Sequence, residues 1–179
     1  MTEQQKMEKG SGECMTMQGP DEHHERLEPF VGTFKAVVKM WMGPGEPLSS
    51  TGVMTNTMEL AGRYLQQHYE GDPGAGPFPD FQGRGYWGYN HITGKYEGFW
   101  IDTASTMMQT ESGDVDAAGK VWTMTSEMLD PQTMQPTQKK SVITLKDRDH
   151  HSMEMYFSGP DGKETKGMEI QYTRAYAAR

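Results

Sequence analysis

The side chains of this sequence that could do chemistry are a few histidines, two arginines and two runs of alternating aromatics. His68 lies between Gln67 and Tyr69 in a stretch of strand character. Facing inward it could ligate haem or move a proton; facing outward it would be a hydrogen-bonded surface group. His23 and His24 are adjacent on a short helical stretch, so their rings point about 100° apart and do not converge on one metal ion. Of His150 and His151, neighbours on a strand, only one can look inward. Phe81, Trp87 and Tyr89 share one face of one strand, and Tyr96, Trp100 and Asp102 share one face of the next. Inward, these faces make a wall of flat rings with a carboxylate near its rim, which describes both a small-molecule site and an ordinary packed barrel core. Arg63 follows Gly62 at a turn, where solvent, Asp102 and the cavity are all open to it. Arg174 and Tyr176, two apart, share a strand face near the end of the sequence.

Other reactive assemblies are missing from the pattern. There is no Gly-x-Ser-x-Gly and no phosphate-cradling Gly-x-x-x-x-Gly-Lys-Ser/Thr. Gly83-x-Gly85-x-x-Gly88 has dinucleotide-fingerprint spacing, but it lies inside an aromatic strand with no helix after it, so the match is coincidental. Asp114 and Asp116 sit in a Gly-rich stretch and read as solvated, short of the ligands a Ca²⁺ loop needs. Cys14 is the single cysteine, which excludes an intramolecular disulfide and a cysteine-based metal site. Met15 and Met17 beside it would suit Cu(I), although incidental sulfur in a tail is the simpler reading. No cofactor and no metal are expected.

Composition narrows the partners. With Lys+Arg 17 against Asp+Glu 25 the formal net charge is −8. That disfavours nucleic acid, whose phosphates need clustered cations, and anionic membrane surfaces. No apolar run reaches the roughly 18 residues of a spanning helix, and residues 1–19 have no apolar centre like that of a secretory signal. A cytoplasmic setting is expected, with a small molecule as partner and a homodimer compatible. Leu, Ile and Val are scarce, whereas Met 16, Tyr 8 and Trp 4 supply large packing side chains. Methionine fills irregular gaps and adaptable cavity walls.

The elements that must position these groups follow from punctuation and period. Residues 1–20 are polar, Gly-rich and aperiodic and read as a flexible leader before one domain spanning 21–179. Asp21 can cap a helix of one or two turns that Pro29 stops. From Thr33 onward, β-compatible runs alternate with Gly, Pro, Asn and Asp clusters. Strands are predicted at 32–41, 50–60, 63–69, 81–89, 95–102, 106–112, 120–129, 137–146, 150–157 and 164–176. Ten sequential antiparallel strands leave edges that closure removes, so the fold class is all-β, a single up-and-down barrel with a short N-terminal helix. Glycines inside the fourth and fifth strands (Gly83, Gly85, Gly88, Gly98) mark bends or close approaches.

One resemblance bears on this reading. Val31-Gly32-Thr33-Phe34 after a helix resembles the Gly-x-Trp opening of calycins, with Phe34 in place of Trp. The fuller likeness is to the bacterial domain-of-unknown-function family number 1579, grouped with the calycins and lipocalin-like. It rests on His24-x-x-Leu27…Gly32-x-Phe34, Gly43-Pro44-Gly45-x-Pro47, Ala61-Gly62-Arg63-Tyr64-Leu65, Phe81-x-Gly83-x-Gly85-x-x-Gly88-Tyr89-Asn90, Lys95-Tyr96-x-x-x-Trp100-Ile101-Asp102, Asp130-Pro131 and Tyr172-Thr173-Arg174. Ala61, Tyr64 and Asn90 depart mildly from the family pattern. The resemblance implies a calycin-like barrel and assigns no activity. Within it, Arg174 and Tyr176 resemble the Arg-x-Tyr pair that grips a carboxylate in fatty-acid-binding proteins. Alternatively Arg174 stacks on Phe34 at the closed end, as a late arginine does on the lipocalin Trp. Three functions therefore stand side by side: a binder of a small, largely apolar ligand through Arg63, His68, Trp87, Tyr89, Trp100, Asp102 and Arg174; an enzyme using His68, Asp102 and Tyr89; and haem binding through His68.

Overall fold

The computed structural model describes residues 19–78, 80–130, 133–159 and 161–176. Ten strands follow a four-residue helix, α1 (Glu22–Glu25), and a 3-10 turn (Glu28–Phe30). They are β1 (Gly32–Met40), β2 (Leu48–Glu59), β3 (Tyr64–Gly71), β4 (Gln82–Asn90), β5 (Lys95–Asp102), β6 (Gln109–Val115), β7 (Val121–Leu129), β8 (Pro136–Leu145), β9 (His150–Ser158) and β10 (Glu164–Arg174). Each pairs antiparallel with its neighbour in sequence and β1 pairs with β10, so the sheet closes into an up-and-down barrel. The all-β barrel expected from sequence is what forms. Strand boundaries shift in places: β6 continues through Asp114 and Val115, which pair with Thr123 and Trp122, and β10 stops at Arg174, so Tyr176 lies beyond it. Asp114 is an outward strand residue paired with Lys95. Asp116 instead closes the turn, its Oδ1 accepting from the backbone N–H of Lys120 (2.7 Å) and Val121 (3.1 Å).

Alternation fixes which face goes in. In β1, Phe34, Ala36 and Val38 are buried while Lys35, Val37 and Lys39 are exposed, the period-2 pattern of a strand with one wet face. The inward residues at one end form a packed plug of Leu65, Trp87, Tyr96, Trp122, Met124 and Ile143, sealed by Leu27 and Phe30. The helical segment is short because Pro29 cannot continue an α-helix but starts a tight turn. That turn is anchored when Asn56 Nδ2 donates to the Phe30 carbonyl (2.9 Å). We call this the closed end.

The last strand locks the same end. Arg174 stacks its guanidinium 4.4 Å above the Phe34 ring. Its Nη1 donates to the Val31 carbonyl (2.7 Å), Nη2 to those of Pro29 and Arg148 (both 2.8 Å), and Nε to Arg148 (3.0 Å). Gly32 is required under this clamp. Its φ is +126°, and a Cβ there would lie 2.4 Å from Arg174 Nη1, so both the conformation and the space exclude other residues.

Candidate ligand-binding site

The opposite half of the barrel is not filled. A cavity of about 400 Å³ occupies it, bordered by Phe78 of the β3–β4 connection and Ala104 of the β5–β6 connection. That volume lies toward the smaller end of the range typical of small-molecule sites. The apolar wall is rich in methionine: Met40, Met54, Met128, Met153, Met155 and Met168 all contribute. Aromatic rings complete it. Trp100 lies flat over β4, where a Cβ on Gly83 would meet its Cζ2 at 2.0 Å. The glycines of the fourth strand thus mark a close approach. The Trp100 indole donates to Asp102 Oδ2 (3.1 Å), whose Oδ1 accepts from the backbone N–H of Ala104 (3.0 Å). Asp102 therefore shapes the rim and its carboxylate is already engaged.

A charged cluster breaks the apolar lining. Lys139, only 3% exposed, places Nζ 3.0 Å from Glu111 Oε2. Ser141, fully buried, donates its hydroxyl to the same oxygen at 2.9 Å. The cluster spans β6 to β8, passing beneath β7, and the reason lies in the sheet. The β6–β7 ladder runs only from Ser112↔Thr125 to Val115↔Trp122, whereas β7 pairs with β8 along its whole length. Above Ser112 the two strands part, and Glu111, on the inward face of β6, bonds Lys139 and Ser141 of β8. A depression on the outer surface, bordered by Thr110, Ser126 and Glu127, meets the cavity at Glu111. Taking two charges out of water is expensive, and mutual attraction with a further hydrogen bond offsets it.

At the floor of the cavity His151 stacks on Tyr172 (centroids 4.3 Å, 16°) and meets Phe34 edge-on (4.6 Å). Burial, with the nearby Arg174 guanidinium, lowers its pKa to about 3, so the ring is neutral at physiological pH. Burial pushes the Tyr172 hydroxyl well above its ordinary range. Trp87 also lines the cavity, and its buried indole N–H has no acceptor among the described residues.

The residues singled out from sequence separate into three places. Trp87, Trp100 and Asp102 border the cavity. Tyr89 faces inward but at the closed end, stacked on His23 at 3.9 Å. Arg174 lies there too, with four hydrogen bonds to backbone carbonyls, and this replaces the carboxylate-gripping role. Tyr176 is 71% exposed and bonds Asp149, so the Arg-x-Tyr pair does not enter the cavity. Arg63 stays at the β2–β3 turn and donates to the Leu60 carbonyl (3.3 Å). His68 points outward and contacts Glu70 Oε1 at 3.1 Å. Leu65 and Tyr69 take the inward parity of β3, which forces His68 to the other face. Neither haem ligation from within nor a His68–Asp102–Tyr89 acid–base assembly is consistent with these positions. Glu111, Lys139 and Ser141 were not singled out from sequence, and of the pair His150 and His151 it is His151 that looks inward. Shared parity of Lys139 and Ser141 with Ile143 was the available signal. The Cys14, Met15 and Met17 cluster lies outside the described residues.

A family model described as a protein of unknown function (DUF1579) matches residues 19–174. Comparison with curated proteins gives no match. Among solved structures, the S-type phycobiliprotein lyase CPES from Guillardia theta is similar in fold, with a TM-score of 0.57 and 9% identity over 89% of this chain and 100% of that one. A redesigned β-barrel (TM-score 0.43, 13% identity, 89% of this chain and 100% of that one) is also matched. So is a de novo designed fluorescence-activating β-barrel (0.42, 12%, 83% and 95%).

Proposed function

The chain belongs to the DUF1579 family, and we propose that it binds a small, largely apolar molecule in the open half of the barrel. The observation that carries this reading is the cavity of about 400 Å³, walled by methionine and aromatic rings around one charged cluster. Methionine walls adapt to irregular apolar shapes, and the few polar groups supply orientation. The Glu111–Lys139–Ser141 cluster recognises a polar end of the ligand. The likeness to the S-type phycobiliprotein lyase extends to the barrel fold. No helix among the described residues is long and apolar enough to cross a membrane. We further propose one domain over residues 21–179 and a cytoplasmic setting without nucleic-acid partners, while the leader expected at 1–20 lies almost wholly outside the described residues.

The test is native mass spectrometry of freshly purified protein, followed by titration with an environment-sensitive apolar dye. A stoichiometric co-purified molecule, or 1:1 dye binding that Met155→Trp abolishes by filling the cavity, supports the proposal. Absence of both, or dye binding that persists in Met155→Trp, refutes it.

A further inference from the structure

We propose that Asp21, His24 and His91 form a binding site for a late first-row divalent cation, of the Zn²⁺ class, at the closed end of the barrel. The site is separate from the cavity and does not rest on the proposal above. Its three side chains come from two elements: the start of α1, and the β4–β5 turn. One ligand atom from each lies within 4.8 Å of the others. Asp21 Oδ1 is 3.0 Å from His24 Nδ1, and Asp21 Oδ2 is 3.7 Å from His91 Nε2. The two carboxylate oxygens are thus divided between two imidazoles. Metal–ligand distances of about 2.0–2.2 Å set tetrahedral ligand atoms about 3.4 Å apart, so only the widest of the three separations must close, a movement that His91, on a turn, supplies.

Burial is graded in the way an accessible site needs. His24 is 5% exposed, whereas the side chains of His91 and Asp21 are 28% and 38% exposed. A cation can enter from solvent and keep water in its remaining positions, the arrangement of an open zinc site. Two imidazole nitrogens and one carboxylate oxygen favour Zn²⁺ and its neighbours over Mg²⁺ or Ca²⁺, which take oxygen donors.

Both supporting elements are fixed by contacts around the ligands. Tyr89 meets His24 and His91 edge-on (centroids 6.2 and 5.3 Å). Tyr96 donates its hydroxyl to the His23 carbonyl at 3.0 Å, holding α1 against β5. Outer contacts of this kind orient metal ligands. Helix capping accounts for part of the cluster: Asp21 Oδ1 accepts from the His23 N–H (3.0 Å), and the Asp21 N–H donates to His24 Nδ1 (3.2 Å). Capping has no use for His91, and it leaves Asp21 Oδ2 directed at that ring.

The experiment is calorimetric titration of the full chain with Zn²⁺, alongside Co²⁺ absorption spectra that report nitrogen and oxygen coordination. Wild-type protein should bind one equivalent. His91→Ala, on an exposed turn, should retain its circular dichroism spectrum and lose affinity by at least about tenfold, a typical loss when a metal site is disturbed. Asp21→Asn should weaken binding as well, and comparison with His91→Ala separates ligand loss from damage to the helix cap. Zn²⁺ binding no tighter than about 100 µM, or equal binding by wild type and His91→Ala, overturns the assignment.

Discussion

Replacing Lys139 by methionine should be among the most damaging single changes in the open half of the barrel. The Lys139 side chain is 4% exposed and that of Glu111 20% exposed, with 3.0 Å between their charges. Methionine matches the length of the lysine stem but removes the ammonium, so the Glu111 carboxylate keeps only the Ser141 hydroxyl as a partner. Breaking a buried pair from one side costs about 3–5 kcal/mol. Because Glu111 retains some contact with water, the lower limit applies, and about 3 kcal/mol is expected. For a chain of this length that corresponds to a fall in Tm of roughly 6–12 °C. The double variant Glu111→Leu/Lys139→Met removes both charges and should recover to within about 1 kcal/mol of wild type, since an apolar pair of similar volume needs no compensation. Urea denaturation of wild type, both single variants and the double variant gives the coupling directly. A cost below about 1 kcal/mol for Lys139→Met, or a double variant as unstable as the sum of the singles, would refute a coupled buried pair.

Other substitutions report on separate parts of the structure. Arg174→Lys keeps the charge but loses the fork that serves three carbonyls, and should cost about 3 kcal/mol in thermal or urea unfolding; an effect under about 1 kcal/mol would contradict the clamp. His151, whose pKa falls from 6.5 to about 3 on folding, leaves the unfolded chain holding the extra proton between those values. Its contribution to stability is therefore complete above pH 6.5 and declines by about 1.4 kcal/mol per unit as pH falls toward 3. His151→Phe should flatten that stretch of the stability curve, and parallel curves for the two proteins would disprove the assignment. Gly83→Ala puts a Cβ into the Trp100 ring, so the indole must swing away from Asp102. A red-shifted tryptophan emission and weaker dye binding are expected, and an unchanged emission maximum would count against it.

The barrel was legible in the sequence because turn chemistry and period-2 alternation act locally. β5 emerges with the boundaries read from Lys95 and Asp102, and the cluster at Gly43–Gly45 falls between strands as expected, while Asn90 still closes β4 and the turn takes His91 to Gly94. Asp114 misled because a carboxylate after glycine suits a loop, and only its pairing with Thr123 of β7 makes it a strand residue. The site was less legible. Trp87, Trp100 and Asp102 were found because aromatics of one parity advertise an inner face. His68 was left open between the two faces, because Gln66 and Gln67 beside it hide which face is wet. Lys139 sits beside Lys140, and the next residues offer Ser141 and Ile143 on one face but Val142 and Thr144 on the other. Local patterning weighs those faces equally. The choice is made by Glu111 from a strand two positions away, a contact that no short-range rule contains. His91 joins Asp21 and His24 in the same non-local way, through the seating of α1 on the β4–β5 turn.

The Arg174 clamp also sets the order in which the molecule can be completed. Its bonds to Pro29 and Val31 join residues 145 and 143 apart in sequence, and the β1–β10 seam shares that span. During synthesis the segment that seals the closed end precedes Arg174 by 143 to 145 residues and must wait for β10 before its lock exists. Until then β1 has a free edge and the Phe34 ring has no cover. Contacts this distant are slow to form, because loop-closure entropy is spent before they contribute. Closing the seam is thus the late event of folding, and Arg174 belongs to that event: its loss should accelerate unfolding while leaving the early refolding rate nearly unchanged.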